Sequence, residues 1–581
     1  MSILFGPRIS EIKTTSKSKR PLLRYLVDKR PEIKTMDPAS VLDADPKSLH
    51  SPFLLPDILA LLRILLDLVP RRILLYGDRD ADGVTSTSLL GSFLRDYPRT
   101  KHHHFSFLVA SESDPYGLSE PAIEKIKKES PDVLLTLDFG SSQTKEIRLL
   151  QKLGMRVVVL DHHEIPEEIV EDSLCINPRR IDSEYPEKKI CTAVLSFKIV
   201  HALLLLGDIN LSGNESREEL LNSLEPKSNL WEELLPYSDL AGLGTITDMM
   251  PLSGENRLLV KLAISNWNKR PGSIALTESM LLTDRDLTSK DFGWSFGPMV
   301  NAAGRMGKTE KALELFLARN LEEAKEKAKQ LVELNKERKD RTKRNLDRVE
   351  RYFTRKTERT SKPLAFCFEP DMEPGVSGIL ATKMVELFQK TAVFVTPDHG
   401  EARGSIRAYG DENVLDILSF SSDLLLHFGG HKEAAGFSVE LEKVRALEER
   451  FYEAVKNLGL VYKSRSIETD FTVMPEELNE ALLREWADLE PFGQGNPEVL
   501  LGLTRVKPYH LTLLSGGKHI RFGVLGSKLK FLVWNEAEAF QDLISTHSEI
   551  DIAGVLERNH FQGRVNLQFV VKNYEASSNL S

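Results

Sequence analysis

Acids and imidazoles recur where the short apolar runs of this chain stop. ILLYG runs into DRDADG, which carries Asp78, Asp80 and Asp82. LLTLD ends on Asp138, and VVVLDHH ends on Asp161, His162 and His163. DLAGLGTITD offers Asp239 and Asp248 on a predicted helix. A single aspartate in such a place is ordinarily a turn former or a helix cap. Several of them, one set spaced D-x-D-x-D-G, call for cations, because gathered carboxylates repel each other unless they are protonated or neutralised. Oxygen ligands suit magnesium, and oxygen with imidazole suits manganese. Two divalent ions about 3.5–4 Å apart, sharing one carboxylate, would use this many acids. They would clamp a phosphoryl group and activate water for in-line attack. HExxH and GxxxxGK[ST] are both absent, which weighs against zinc-hydrolase and P-loop chemistry.

These acids converge only if parallel strands deliver them. From about 51 to 310, RRILLYGD, HFSFLVA, DVLLTLD and RVVVLDHH read as strands. Between them lie helical patterns such as SEPAIEKIKKES, with Ser119 placed to cap it, and SQTKEIRLLQKLG, with Gly154 placed to end it. The alternation predicts a doubly wound parallel α/β sheet, whose strand ends share one crevice. The fold class is therefore α/β. A catalytic domain over 51–308 follows an N-terminal extension over 1–50, and a Gly- and Pro-free polar stretch predicts a connecting helix over 309–358. A smaller α/β domain then spans 359–460, and short strands with Gly and Asn turns predict a β-barrel of OB type over 461–581.

A length of 581 residues fits three or four domains. Three scattered cysteines speak against a disulfide framework or a zinc site and fit a reducing cytoplasm. The N-terminus lacks the apolar core of a signal peptide. LLPDILALLRILLDLVPRRILL is broken by Asp57, Arg63, Asp67 and Pro70, so it reads as a helix followed by a strand and not as a membrane span. A net charge of −9 gives no global sign of nucleic-acid binding, yet Lys336 to Arg359 holds eleven Lys or Arg against five acids. That strip is either a solvated helix face or a phosphate track. The run His102, His103, His104 reads as a solvated loop.

The chain resembles the DHH/DHHA1 phosphoesterase superfamily and, within it, the RecJ family of single-stranded-DNA exonucleases. YGDRDADGVTST, LTLDFG, LDHHEIP and LAGLGTITDMMPLSGENR are similar to the superfamily's first four motifs. GPMVNAAGRMG and LVELNKERK resemble the segments that close the catalytic domain and connect it onward. EPGVSGILA, GSIRA and HFGGHKEAAGFS resemble a DHHA1 domain, and LEPFGQGNPEV resembles the entry to the family's OB-fold.

The resemblance implies two Mn2+ or Mg2+ ions in a cleft between the DHH and DHHA1 domains. It implies Asp80, Asp82, Asp138, His162 and Asp248 as ligands, with Asp138 bridging. Asp78 and His163 are further ligands or groups supporting them, and His163 is alternatively a donor to the scissile phosphate. Arg305, Ser405, Arg407, Gly429, Gly430 and His431 would hold phosphates. The implied activity is 5′ to 3′ hydrolysis of single-stranded DNA to mononucleotides in repair and recombination, by a monomer working beside a helicase and a single-strand-binding protein. Four positions depart from the family pattern: Ser111, Phe139, Met299 and Glu373. Phe522, Phe531 and Trp534 could stack bases or could fill the barrel core. Two other readings stay open, a phosphodiesterase for short oligonucleotides or cyclic dinucleotides and an inactivated replication or repair scaffold.

Overall fold

The computed structural model describes residues 2–15, 18, 20–34, 45–111, 116–165, 173–211, 215–224, 227–398, 400–460, 466–561 and 564–577. Two compact units form. Unit 1 comprises Met1–Gly304, Lys308–Val332 and Ser466–Ser581, and unit 2 comprises Arg305–Gly307 and Glu333–Arg465.

Unit 1 opens with β1 (Ser2–Leu4), α1 (Ile9–Thr15) and α2 (Pro21–Lys29). Its central sheet uses β2 (Arg72–Gly77), β3 (His104–Val109), β4 (Val133–Leu137), β5 (Arg156–Leu160) and β6 (Leu174–Ile176), all parallel, in the order β3-β2-β4-β5-β6. β4 is buried throughout, and β2 and β5 are buried after their first residues, as expected of a parallel sheet covered on both faces. The crossovers are α3 (Ala81–Asp96), α4 (Glu120–Glu129) and α5 (Thr144–Lys152). Ser119 does precede α4, but its hydroxyl makes no capping bond. Gly154 ends the α5 region at φ 86. The apolar helix α6 (Thr192–Leu206) and α7 (Ser238–Thr247) pack on α3, and α8 (Gly254–Asn266) packs on α7. No single described helix is long and apolar enough to cross a membrane.

The predicted continuous helix over 309–358 is two helices, α9 (Thr309–Leu317) and α10 (Leu321–Arg355). The break has a local cause. Asn320 Oδ1 accepts from Glu323 N at 2.9 Å, and Glu323 Oε2 accepts from Arg319 N at 3.2 Å, so a helix start is written inside the polar run.

In unit 2, β7 (Ala365–Phe368), β8 (Ala392–Asp398), β9 (Glu401–Arg407), β10 (Leu425–His431) and β11 (Ala434–Glu440) make a mixed sheet ordered β10-β11-β9-β8-β7. Helices α11 (Ser377–Phe388) and α12 (Val444–Asn457) pack on it.

The C-terminal part of unit 1 holds β12 (Ser466–Glu468), β13 (Phe471–Thr472), β14 (Leu501–Val506), β15 (Pro508–Leu514), β16 (His519–Val524), β17 (Lys530–Val533), β18 (Ile550–Phe561) and β19 (Arg564–Ala576). Seven of these form one sheet, β13-β14-β18-β19-β17-β16-β15. The first stretch of the N-terminal extension, up to Ile33, belongs to this part, while His50 bonds Glu255 and Lys198 of the parallel-sheet part. β1 pairs in parallel with β12, and Ile9, Leu22, Leu26 and Ile33 lie in one apolar core with Phe471, Trp486, Phe522 and Phe569. Phe522 and Phe531 are core residues and not stacking platforms, while Trp534 is exposed.

A polar weld joins this part to the parallel-sheet part. Buried Arg257 on α8 donates to the carbonyls of Asp488, Leu489, Glu490 and Pro491 at 3.0, 2.8, 2.8 and 3.3 Å. Asn496 Nδ2 donates to two of the same carbonyls, and Arg30 donates to Asn496 Oδ1. Arg257→Ala removes the donor from several carbonyls that burial keeps from water. It should cost about 3 kcal/mol or more, read as a lower urea midpoint, and Arg257→Lys should recover part of the loss. An unchanged midpoint in the alanine variant would show that the weld carries no stability.

Candidate metal centre and phosphate site

The order β3-β2-β4 reverses the winding between β2 and β4, the switch point at which doubly wound sheets open a ligand crevice. The acids stand at that point because ladder hydrogen bonding runs right up to them. Asp78 N donates to Leu137 O at 3.1 Å, Asp138 N to Leu160 O at 3.0 Å and Asp161 N to Ile176 O at 3.3 Å. Asp80 caps α3, its Oδ1 accepting from Gly83 N at 3.0 Å. Gly83 is required there, since a Cβ would lie 2.5 Å from the Asp78 backbone. Asp82 sits buried in the first turn of α3. Its two oxygens accept from Thr192 N (2.7 Å) and Ala193 N (2.9 Å), where the N-terminus of α6 favours negative charge. Gly244 on α7 makes room, because a Cβ would fall 2.7 Å from Asp82 Oδ1.

His162 is the hub. Its Nε2 lies 3.2 Å from Asp138 Oδ1, 3.2 Å from Asp248 Oδ2 and 3.9 Å from Asp82 Oδ2. Three groups each bring their ligand atoms within 4.8 Å of one another: Asp78, Asp80 and Asp138; Asp82, His162 and Asp248; Asp138, His162 and His163. Asp138 and His162 each serve two of them. Asp138 holds φ at 75°, a left-handed backbone that non-glycine residues seldom adopt, and Thr192 Oγ1 donates to its Oδ1 at 3.2 Å.

The electrostatics match the crowding. Burial, then the charge of Asp80, raises Asp78 to about 7 and Asp82 to about 6. Burial, then Asp82 and Asp80, raises Asp248 to about 9, and burial and Asp82 push Asp138 well up. Asp248 Oδ2 is buried and makes no hydrogen bond. Hard carboxylate oxygens with imidazole, mutually repelling and short of donors, are a donor set that fits divalent Mn or Mg.

Asp161 is different. It accepts from Ser141 N (3.0 Å), His162 N (2.8 Å), His163 N (3.1 Å) and His163 Nδ1 (2.7 Å). Burial works to raise it, but these donors hold it down at about 2. Burial alone would lower His163, yet the hydrogen bond and charge of Asp161 raise it. Asp161 therefore orients His163 and favours its protonated form. The role was not read from the sequence, although the D-H-H adjacency signals it. Asn301 was also missed. Its Oδ1 accepts from Ala81 N at 2.9 Å, and a Cβ on Gly304 would lie 2.4 Å from Arg79 O, so NAAG clamps the acidic loop.

Several expectations are corrected. Asp239 lies outside the cluster, bound to Arg270 Nε and Ser273 Oγ at 3.0 Å each. It sits at the start of α7 and Asp248 just past its end, about 13 Å apart along the axis at 1.5 Å per residue. His103 is not a solvated loop residue. It is buried, with its ring nitrogens at Arg71 N and Leu65 O. Phe139 and Met299 are buried, Phe139 edge-on to Tyr76, so both departures are packing changes. Glu373 gathers Arg344, Arg348 and Arg341 at 2.8, 3.2 and 3.8 Å, which neutralises part of the basic strip. Ser111 is described, but Glu112–Pro115 beside it lie outside the described residues.

In unit 2 the other candidates fall on one face of its sheet. Ser405, Gly436 and Gly429 are register partners across β9, β11 and β10, and Arg407, Ala434 and His431 form the parallel row. Paired residues point to the same side of a sheet, so Ser405, Arg407 and His431 share a face with the open backbone at Gly429; Gly430, at φ 147, lies between the rows. A Cβ on Gly378 would lie 2.6 Å from Arg407 Nη2, which puts that guanidinium over the first turn of α11. Burial, then the charge of Arg305, lowers both Arg407 and Arg338. Arg305, repelled by both Arg407 and Arg338, and Arg407 over a helix N-terminus suit a phosphate. Arg338 was read only as part of the basic strip.

The parallel sheet and its acidic switch point define a DHH-type fold. The model of the DHH family's N-terminal domain matches residues 72–224, the DHHA1 domain matches 361–457, and the RecJ OB domain matches 469–573. The single-stranded-DNA-specific exonuclease RecJ of Salmonella typhimurium is 30% identical over 86% of this chain and 86% of its own length. The Bacillus subtilis relative of the same name is 29% identical over 87% of this chain, which covers 61% of that longer protein. The crystal structure of Thermus thermophilus RecJ with Mn2+ aligns over 100% of this chain and 80% of its own, at TM-score 0.75 and 26% identity. The chain belongs to the RecJ family.

The raised carboxyls set a pH dependence. The folded metal-free protein keeps protons on Asp78, Asp82 and Asp248 that the unfolded chain releases near 3.8. Their stabilisation is full below about 4 and is lost as pH climbs through the folded values to about 9. In EDTA, Tm should fall between pH 5 and 9, and Asp248→Asn, which stays neutral, should fall less. Added Mn2+ should raise Tm most at the alkaline end. A metal-free Tm difference between wild type and Asp248→Asn that does not change with pH would contradict this electrostatic account.

Proposed function

We propose that this chain is a metal-dependent exonuclease that hydrolyses single-stranded DNA from the 5′ end, releasing mononucleotides. The observation that carries the reading is the convergence of Asp78, Asp80, Asp82, Asp138, His162 and Asp248 at one switch point. Membership of the RecJ family supplies the substrate class, and crystal structures of Thermus thermophilus RecJ are in complex with Mn2+ and with Mg2+. Asp78 and Asp80 would hold one ion, Asp82, His162 and Asp248 the other, and Asp138 would serve both. Two such ions, when bound, would neutralise the carboxylates and supply Lewis-acid polarisation of the phosphodiester and the attacking water.

The chain's own groups do the positioning. Asp161 holds His163 protonated and aimed, so that it donates to a non-bridging phosphate oxygen. Arg305, Ser405, Arg407, Gly429, Gly430 and His431 grip phosphates, with Arg338 beside them. The RecJ-type OB domain binds the strand beyond the reacting nucleotide. We place the protein in the cytoplasm as a monomer acting in repair and recombination with a helicase and a single-strand-binding protein. Three buried free cysteines are consistent with that compartment.

One assay decides among the readings. With Mn2+, 5′-labelled single-stranded DNA should lose its label quickly, while a duplex, a dinucleotide and a cyclic dinucleotide should not react comparably. DNA binding without any hydrolysis would make the protein a scaffold. Asp138→Ala should abolish turnover, because it removes a ligand from both ions, and near-normal activity would refute the shared role. Lys336, Lys339 and Lys343 are exposed outside the Glu373 arginine cluster. Neutralising all three should flatten the log–log salt dependence of DNA binding by about 0.7 per lost phosphate contact. An unchanged slope makes the strip a solvated face.

A further inference from the structure

A cavity of about 480 Å³ opens in unit 1 behind the metal centre, within the size range of small-molecule sites. Thr247 and Met249 line it, so the backbone on both sides of Asp248 forms one wall. Asn301, whose amide pins the acidic loop, lines it too. The pocket therefore adjoins the metal centre through the chain neighbours of Asp248 and through Asn301.

Two features at the rim are costly without an occupant. Trp294 is 83% exposed and Met249 is 64% exposed, the latter at φ 56. Trp294 sits in a five-residue π-helical turn, Phe292–Phe296, a kind of turn found often at functional sites. Phe292 and Phe296 from the same turn pack against buried Trp267 at ring distances of 4.7 and 4.6 Å. The turn thus anchors two of its aromatics inside and holds the third, a large flat ring, out in solvent.

Charge selects the occupant. Among the described lining residues the one cation is Lys290, and it pairs with Glu498 at 2.7 Å, itself part of the lining, and with Glu557 at 3.4 Å. The pocket is therefore close to neutral and offers a phosphate nothing. It offers a planar, neutral ring an indole face, methionine sulfur and the side-chain amide of Gln494 for an edge. We propose that this pocket is a nucleobase subsite, in which Trp294 stacks the base of a nucleotide flanking the scissile phosphate. The inference rests on the exonuclease reading and deepens it: the enzyme grips bases as well as backbone beside its metals.

The experiment uses the full-length protein with Mn2+ and 5′-labelled single strands carrying one tetrahydrofuran abasic nucleotide at successive positions. Wild type should show about tenfold lower kcat/KM when one particular position lacks its base, a loss in the range that base–aromatic stacking supplies. Trp294→Ala should lose about tenfold on the fully based strand and become indifferent to that position, and Trp294→Phe should recover most of the loss. A wholly abasic strand should be cut equally by wild type and Trp294→Ala. Equal kcat/KM of the two proteins on based DNA overturns the proposal, and so does a matching loss on the abasic strand, which would mean damage to the metal centre. Binding of single strands with 2-aminopurine at the same position, measured in EDTA, separates the two levels of inference. Quenching lost in Trp294→Ala supports the subsite even if no DNA is cut and the exonuclease reading falls. Absence of quenching in wild type overturns the subsite even if DNA is cut.

Discussion

Repulsion among carboxylates at the β2/β4 switch point is the constraint from which the rest follows. Four aspartates there are raised by burial and by one another. Two unit charges 4 Å apart interact by about 4 kcal/mol at an effective dielectric constant of 20. The fold meets part of this with fixed dipoles. The α6 N-terminus gives two amides to Asp82, and Thr192 gives a hydroxyl to Asp138. It does not meet the whole, and Asp248 Oδ2 is left buried with no hydrogen bond. His162 Nε2 approaches that oxygen at 3.2 Å, but it lies equally close to Asp138 Oδ1, so one nitrogen is shared between two carboxylates. The residual deficit is what a divalent cation relieves, and the same deficit destabilises the protein without one.

Much of this was legible because parallel strands write their positions locally. Three of the four apolar runs end on their own acid, and right-handed alternation with helices brings neighbouring runs to one crevice. That is why Asp78, Asp138, Asp161 and His162 could be placed together from spacing alone. Asp161 shows the limit of type-based reading. An aspartate beside two histidines looks like a third ligand, yet three backbone amides and an imidazole N–H use its oxygens. Composition could not distinguish a carboxylate short of donors from one supplied with them. The distinction depends on where the backbone N–H groups point.

Other features were illegible because they are non-local. Nothing in the periodicity of residues 2–34 says that they complete a core formed more than 430 positions later, as the pairing of Ser2 with Ser466 shows. The departures from the family pattern at Phe139 and Met299 both face the interior, where volume and shape decide what is tolerated. Glu373 is a change of another kind, since it draws three arginines of α10 onto itself and thins the free positive charge of that helix.

The three parts of the machinery therefore answer to different physics. The metal centre needs uncompensated negative charge held rigidly, and the strained backbone of Asp138 and the glycines at 83 and 244 show the precision with which unit 1 holds it. The arginine cluster of unit 2 needs uncompensated positive charge, and Arg305 depressing Arg407 and Arg338 is its mirror image. The Trp294 pocket is neutral, its lysine already paired, and an exposed indole is its active surface. A single strand of DNA carries a complement to each: a phosphodiester, phosphate charge and unpaired bases. A duplex withholds the third, because its bases are stacked and paired inside. On the proposed reading, selection for single strands would come from recognition of the base face as well as from the width of a groove.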